Sequence, residues 1–189
     1  MGKQTSKLTP GDMPELIEQT AYTEAELQTW YKDFLEDYPS GVLSLQDFKT
    51  LYSDLFPDGD AAGFANHAFR QFDLDGNGRI DFREFITALS VSSKGTLEEK
   101  LYRAFLLYDV DCNGFITRDE MTEIVTAINK MVGDELLHVD LEKSVSEIFE
   151  IMDQDHDGRL SAVEFVEGSK NDPDLMRLVQ CGWQSHSII

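Results

Sequence analysis

The stretch from Asp73 to Glu84 reads Asp-Leu-Asp-Gly-Asn-Gly-Arg-Ile-Asp-Phe-Arg-Glu. Hard cations such as Ca²⁺ take about six to eight oxygen ligands, and a glycine at position 6 lets the chain turn sharply around the ion. Position 6 of this stretch is Gly78. The oxygen ligands would come from the side chains at positions 1, 3, 5, 9 and 12 and from the backbone carbonyl at position 7, which are Asp73, Asp75, Asn77, Asp81, Glu84 and Arg79. The stretch therefore predicts a calcium loop.

The same register occurs twice more, from Asp109 to Glu120 and from Asp153 to Glu164. Unrelated acidic surface turns would not share this spacing of ligand positions, so we expect three calcium sites. We also expect Mg²⁺ to be able to occupy some of them when calcium is low. The predicted ligands of the two further loops are Asp109, Asp111, Asn113, Phe115 (backbone), Thr117 and Glu120, and Asp153, Asp155, Asp157, Arg159 (backbone), Ser161 and Glu164.

A fourth copy, at residues 36–47, keeps the position-6 glycine, an apolar position 8 and an acid at position 12, but its ligands are spoiled. Position 3 is Tyr38, and position 4 is Pro39, which fixes φ and has no N–H. Position 12 is Asp47, one methylene too short for the usual bidentate reach. We expect a structural loop that binds no calcium.

The four loops begin at residues 36, 73, 109 and 153, so the chain repeats at intervals of 37, 36 and 44 residues. Helical patterns flank each loop, and positions 9 and 12 can cap the helix that leaves it. Apolar residues at position 8 predict that loop one pairs with loop two and loop three with loop four. The expected fold is all-α and compact, with four helix-loop-helix units in two pairs.

A short hinge is expected at Ser92-Ser93-Lys94-Gly95-Thr96, with Gly95 as its permissive residue. It divides the chain into an N-terminal pair of units at residues 1–92 and a C-terminal pair with a tail at residues 93–189.

Composition excludes several classes of protein. The chain has 189 residues and a net charge of −20, whereas a nucleic-acid binder needs a basic footprint. Hydrophobic residues at 41% are too many for a disordered acidic tail. Two cysteines give no disulfide framework, and we find neither a secretory signal nor an apolar run long enough for a membrane span. We expect a cytoplasmic protein.

The first six residues, Met-Gly-Lys-Gln-Thr-Ser, fit the pattern for myristoylation of Gly2 once Met1 is removed. Such an acyl chain would attach the protein peripherally to a membrane surface.

Several segments resemble the neuronal calcium sensor family: the acylation pattern, Trp30-Tyr31, the proline-containing first loop at Tyr38-Pro39-Ser40-Gly41, the stretch Phe82–Ser90 and Glu167-Gly168-Ser169-Lys170. The similarity covers nearly the whole chain and is greatest to the frequenin branch, with the hippocalcin, neurocalcin and visinin-like proteins close to it. It implies two EF-hand pairs, an aromatic groove in the N-terminal half and regulation of a membrane-linked target. By this resemblance the target is a helical segment of a kinase, a receptor or an exchange factor.

Calcium binding would draw the position-12 glutamate into the coordination shell, re-angle two helices and expose apolar surface to a partner helix. The candidates for this apolar surface are Trp30, Phe34, Phe48, Tyr52, Phe85 and Leu89. The alternative is that these six residues are ordinary core.

Three functions stay open: a calcium sensor, a passive calcium buffer, and a permanent regulatory subunit of an enzyme. The lipid signal and the disabled first loop favour the sensor. We expect no catalytic activity, because the four histidines are scattered and no motif places a nucleophile beside a base.

Overall fold

The computed structural model describes residues 12–133, 141–171 and 176, and within them nine helices and four short strands. Each of the four loops is entered by one helix and left by another. The predicted all-α arrangement of helix-loop-helix units is therefore confirmed, and the strands are only three residues long.

The N-terminal half begins with an extra helix, followed by two helix-loop-helix units. Its helices are α1 (Met13–Thr20), α2 (Glu24–Asp37), α3 (Leu45–Leu55), α4 (Ala62–Phe72) and α5 (Phe82–Lys94), and its strands are β1 (Val42–Ser44) and β2 (Arg79–Asp81).

The C-terminal half holds the third and fourth units. Its helices are α6 (Leu97–Tyr108), α7 (Arg118–Val132), α8 (Leu141–Met152) and α9 (Ala162–Asn171), and its strands are β3 (Phe115–Thr117) and β4 (Arg159–Ser161).

Two antiparallel strand pairs join the loops as the apolar position 8 predicts. Leu43 of β1 lies opposite Ile80 of β2, and Ile116 of β3 lies opposite Leu160 of β4. All four side chains are fully buried. Loop one therefore pairs with loop two, and loop three with loop four.

The helices that leave the loops begin at the predicted caps. At the start of α5, the carboxylate of Asp81 accepts a hydrogen bond from the Glu84 N–H at 3.0 Å, and the Glu84 carboxylate accepts one from the Asp81 N–H at 2.9 Å. Such reciprocal bonds satisfy amide groups that have no partner within the helix. The starts of α3, α7 and α9 repeat them with Ser44 and Asp47, Thr117 and Glu120, and Ser161 and Glu164.

The hinge between the halves is shorter than the sequence predicts. Ser92, Ser93 and Lys94 continue α5, and α6 already begins at Leu97, which leaves only Gly95 and Thr96 between the helices. The reason for the glycine also differs from the predicted one, because Gly95 has an ordinary φ of −64°. A Cβ at this position would lie 2.3 Å from the Val91 carbonyl oxygen, so close approach is what requires glycine.

Candidate metal-binding loops

Three acidic side chains converge in loop two. One carboxylate oxygen from each of Asp73, Asp75 and Glu84 lies within 4.8 Å of the other two. Calcium–oxygen distances are about 2.3–2.6 Å, so two ligands on opposite sides of one ion stand roughly 5 Å apart. The spacing of these oxygens fits one Ca²⁺ ion. The same convergence occurs for Asp109, Asp111 and Glu120 and for Asp153, Asp155 and Glu164.

Backbone amides hold the position-1 carboxylate of each of these loops. In loop two the N–H groups of Asn77 and Gly78 donate to the two oxygens of Asp73 at 3.0 and 2.8 Å. The equivalent bonds to Asp109 are 3.0 and 2.9 Å long, and those to Asp153 are 3.2 and 3.0 Å long. The backbone of the loop thus wraps around its first carboxylate and fixes the orientation of this ligand.

The position-12 glutamate connects the two ends of its loop. Glu84 accepts hydrogen bonds from the N–H groups of Leu74 and Asp75 at 2.9 and 3.2 Å, and its other oxygen caps α5. Glu120 accepts in the same way from Val110 and Asp111 at 3.0 and 3.2 Å. Glu164 accepts from the N–H of Gln154 at 3.1 Å. The helix leaving each loop is therefore tied to the first residues of that loop.

Two positions in each of these loops have left-handed backbone. Position 6 is glycine in all three, with φ between 79° and 89°. Position 4 also has positive φ, at Gly76 (69°), Cys112 (57°) and His156 (59°). The sequence reasoning recognised position 6 but missed position 4, for which Gly76 was the only signal in the sequence.

The structure does not bring every predicted ligand into the convergent groups. Asp81 and Asp157 are not members. Asp81 caps α5, and Asp157 accepts the N–H of Arg159 at 2.8 Å, as Asn77 and Asn113 accept the N–H groups of Arg79 and Phe115. Thr117 and Ser161, at position 9, are likewise helix caps. Positions 1, 3 and 12 are thus the acidic positions whose carboxylate oxygens converge in each of these loops.

Hydrogen bonding and burial affect the three glutamates differently. Burial raises the pKa of Glu84 above its ordinary value, although backbone hydrogen bonds oppose it. Burial also acts to raise the pKa of Glu120 and Glu164, but hydrogen bonds to Thr117 and Ser161 outweigh it and leave both pKa values lowered. The pKa of Glu84 is thus shifted in the opposite direction from those of Glu120 and Glu164.

Loop one lacks the convergent acids. Residues 36–47 are all described, and none of them belongs to such a group. A single oxygen of Asp47 accepts hydrogen bonds from the backbone N–H and the hydroxyl of Ser44, at 2.9 and 2.6 Å. These bonds lower the pKa of Asp47. The carboxylate at position 12 here caps a helix, and it belongs to no convergent group of acids.

Comparison with known proteins agrees with this geometry. Residues 64–91 match the family model of an EF hand domain, and residues 98–170 match that of an EF-hand domain pair. The chain is 47% identical to neuronal calcium sensor 1 of Lymnaea stagnalis and 49% identical to that of Aplysia californica, in each case over 94% of this chain and 95% of the relative. It is 40% identical to human recoverin over 89% of this chain and 87% of the relative.

The chain belongs to the neuronal calcium sensor family. The three loops with convergent acids lie within the matched EF-hand segments, and the protein is a calcium sensor that regulates target proteins. None of these relatives is named as an enzyme. No helix among the described residues is long and apolar enough to cross a membrane.

In this calcium sensor, five of the six residues predicted to line a partner groove lie inside the core. Only Trp30 is half-buried, and it packs against that core. The other five are at most 4% exposed, and most of them contact one another or nearby rings: the centroid distance is 5.4 Å from Phe34 to Phe85 and 4.9 Å from Phe48 to Tyr52. With the helices arranged as they are here, these five do not form an exposed groove, because the surrounding helices enclose them. The buried residues are Phe34, Phe48, Tyr52, Phe85 and Leu89.

The predicted acylation site cannot be placed. Gly2 lies outside the described residues, as do the residues that follow Met176.

Proposed function

We propose that this neuronal calcium sensor binds three Ca²⁺ ions, in loops two, three and four, and none in loop one. The observation that supports it is the convergence of positions 1, 3 and 12 in those three loops alone among the residues described. Further oxygens would come from position 5, from the position-7 backbone carbonyl and, through water, from position 9. We also propose that Mg²⁺ takes some of these sites when calcium is low.

Bound calcium would supply positive charge that offsets the carboxylates gathered in each loop. The glutamate at position 12 is also the third residue of the helix that leaves the loop, in α5, α7 and α9. A shift of this carboxylate as it coordinates the ion would move the helix that carries it. We propose that this movement opens the N-terminal aromatic core and makes a groove for a helical segment of the target.

Calorimetry tests the number of sites. We expect three ions per wild-type chain and about two after each of Glu84→Gln, Glu120→Gln and Glu164→Gln, because each substitution removes a charged bidentate ligand. Asp47→Asn is the matched control in loop one and should leave three. Four ions in the wild type, or the loss of one with Asp47→Asn, would contradict the assignment.

Opening of the groove can be followed by apolar-dye binding and tryptophan fluorescence with and without calcium. We expect dye binding to rise with calcium, and Trp30→Ala to weaken binding of a target helix by about 2 kcal/mol or more, as for a buried aromatic anchor. Calcium affinity should stay nearly unchanged. A calcium buffer would show no increase in dye binding, and a purely structural Trp30 would lose stability and target binding together.

We further propose that Gly2 is myristoylated and that the protein is cytoplasmic and peripherally bound to membranes. One myristoyl chain binds membranes only marginally, with K on the order of 10⁴ M⁻¹. Lys3 and Lys7 could add roughly 1 kcal/mol each on an anionic surface. Three Ca²⁺ ions would change the net charge from −20 to −14 and so reduce repulsion from that surface.

Co-sedimentation of acylated protein with anionic vesicles tests this membrane attachment. We expect more than about a tenfold rise in partitioning with calcium if the acyl chain is released by a switch, and equally strong binding in both states if it is always exposed. Gly2→Ala should abolish vesicle binding in both cases. If Gly2→Ala behaves like the acylated protein, the lipid has no part in the function.

A further inference from the structure

Helix α4 belongs to the N-terminal half, yet its last turns contact calcium loop three in the other half. The guanidinium of Arg70 donates a hydrogen bond from Nη1 to the backbone carbonyl oxygen of Val110. Val110 is position 2 of loop three, between the position-1 and position-3 acids Asp109 and Asp111. Arg70 therefore holds the backbone that links two of the three convergent carboxylates of that loop.

The same guanidinium is connected to the helix that leaves loop three. Its Nη2 lies 3.3 Å from Nδ1 of His67, and Nε2 of His67 lies 3.4 Å from a carboxylate oxygen of Glu123 in α7. Burial and the nearby Arg70 lower the pKa of His67, so a neutral ring can accept from Arg70 and donate to Glu123. Glu123 lies one turn beyond Glu120, the position-12 residue. Helix α4 thus contacts loop three at its start and just after its end.

A second pair of contacts joins α4 to the helix that enters loop three. The side-chain amide of Gln71 donates to the Leu106 carbonyl oxygen at 2.9 Å, and Arg103 donates to the Gln71 carbonyl oxygen at 3.0 Å. Both carbonyls lie in the last turn of a helix, α6 and α4 respectively, where no amide of the same helix can satisfy them. The ends of α4 and α6 are therefore fixed to each other, directly before loops two and three.

Building on the calcium sites proposed above, we propose that Arg70 is a positioning residue for loop three. It acts through Val110 and, by way of His67, through Glu123, so the calcium affinity of loop three depends on a residue of the N-terminal half. Removing Arg70 takes away one of the contacts that hold the backbone between Asp109 and Asp111, so the spacing of these carboxylates becomes less fixed.

Charge and geometry predict opposite results when Arg70 is replaced. Loss of a positive charge close to an acidic loop should strengthen cation binding, since Arg70 repels Ca²⁺. Loss of a positioning contact should weaken it. The sign of the affinity change therefore separates the two effects.

The backbone amide of Gly114 gives a signal specific to loop three, because it donates to the position-1 carboxylate of Asp109 at 2.9 Å. We would follow its NMR resonance during calcium titration in a Glu164→Gln background, so that occupancy of the paired loop four does not contribute. The corresponding amide of Gly78 reports loop two in the same sample. The variants are Arg70→Gln and Arg70→Lys.

Arg83→Gln is the matched control. It removes the same charge, and Arg83 makes contacts within the N-terminal half, to Asp12 and Glu15 at 3.1 and 3.0 Å. The Gly114 midpoint is the calcium concentration at which its resonance has changed by half. We expect it to rise about threefold or more in Arg70→Gln, which corresponds to the net contribution of one hydrogen bond, and less in Arg70→Lys. Arg83→Gln should leave it unchanged, and thermal unfolding without calcium should be similar for Arg70→Gln and Arg83→Gln.

An unchanged or lower Gly114 midpoint in Arg70→Gln overturns the positioning role. An equal rise of the Gly114 midpoint in Arg83→Gln also overturns it, as does an equal rise of the Gly78 midpoint in Arg70→Gln. In either case the loss of calcium affinity would not be specific to Arg70 and loop three. If Gly114 does not respond to calcium even with Arg70 present, loop three is not a calcium site and the proposed function itself fails. That result is distinguishable from the others.

Discussion

Loops one and two lie side by side, joined by β1 and β2, and they begin their exiting helices with the same pattern of capping hydrogen bonds. Both have a left-handed glycine at position 6, Gly41 and Gly78, and both bury their position-8 side chain. Only loop two brings three carboxylates together. The features that build the loop pair are therefore separate from the features that hold an ion.

The difference begins at position 4. Gly76 has a φ of 69°, and Cys112 and His156 are also left-handed at the same position of their loops. Loop one has Pro39 there, and a proline ring restricts φ to about −65°. Loop one therefore cannot follow the path that brings positions 1 and 3 of the other loops together.

Positions 3 and 12 of loop one serve the fold. The ring of Tyr38 packs against Phe34, with 5.4 Å between their centroids, where loop two has the acid Asp75. Asp47 is occupied with Ser44, whereas Glu84 reaches the first residues of its own loop. Loop one is thus a structural partner for loop two.

The largest expected effect comes from giving loop two the proline of loop one. Gly76→Pro should weaken calcium binding at loop two on the order of 10³-fold, because the required φ is inaccessible to proline. Gly76→Ala is the control and should cost roughly 1–2 kcal/mol, the strain of a left-handed L-residue. Calorimetry in a Glu120→Gln, Glu164→Gln background isolates this loop. Wild-type affinity in Gly76→Pro would show that position 4 does not separate the loops.

The buried strand contact should give the next largest effect. Leu43→Ala and Ile80→Ala each remove a fully buried side chain and should lower the free energy of unfolding by about 2–5 kcal/mol. If loop one supports loop two, Leu43→Ala should also weaken calcium binding at loop two without touching a ligand. Urea unfolding without calcium and titration with calcium measure the two effects. The exposed Leu45 supplies the control Leu45→Ala, which should change neither.

Restoring calcium ligands to loop one should have a smaller effect, which is a gain of calcium binding rather than a loss. Asp47→Glu alone should bind no ion, because Pro39 still fixes the backbone. Tyr38→Asp, Pro39→Gly and Asp47→Glu together should create a weak fourth site, with Kd on the order of 10⁻³ M. Binding by Asp47→Glu alone would mean that carboxylate reach, rather than backbone, had disabled the loop.

The smallest expected effect tests whether the cap of loop one is purely structural. Ser44→Ala removes the N-cap of α3 and should destabilise the protein by about 1 kcal/mol. Calcium binding at loop two should stay unchanged, since the side chain of Ser44 bonds to Asp47 of its own loop. Thermal unfolding and calorimetry on the same preparation check both points, and a changed loop-two affinity would contradict the separation of cap from site.

The calcium loops could be found from the sequence because their determinants are local. Asp73, Asp75 and Glu84 lie within twelve residues, and the caps join residues three apart, so spacing alone indicates their geometry. Pairing of the loops followed from one apolar position in each. The sequence does not indicate that Asp81 lies outside the acidic group. An aspartate at position 9 can either cap a helix or face an ion, and the surrounding contacts determine which of the two it does.

By itself, therefore, the sequence determined the four helix-loop-helix units, their pairing and the loop that lacks ligands, since each depends on residues close together in the chain. Only the tertiary structure decided that Phe48, Tyr52 and Phe85 are enclosed, because their burial depends on helices from different units. Only it placed Arg70 on Val110, 40 residues away. Such contacts depend on how the two halves pack against each other, and this packing cannot be predicted from the periodicity or spacing of residues in the sequence.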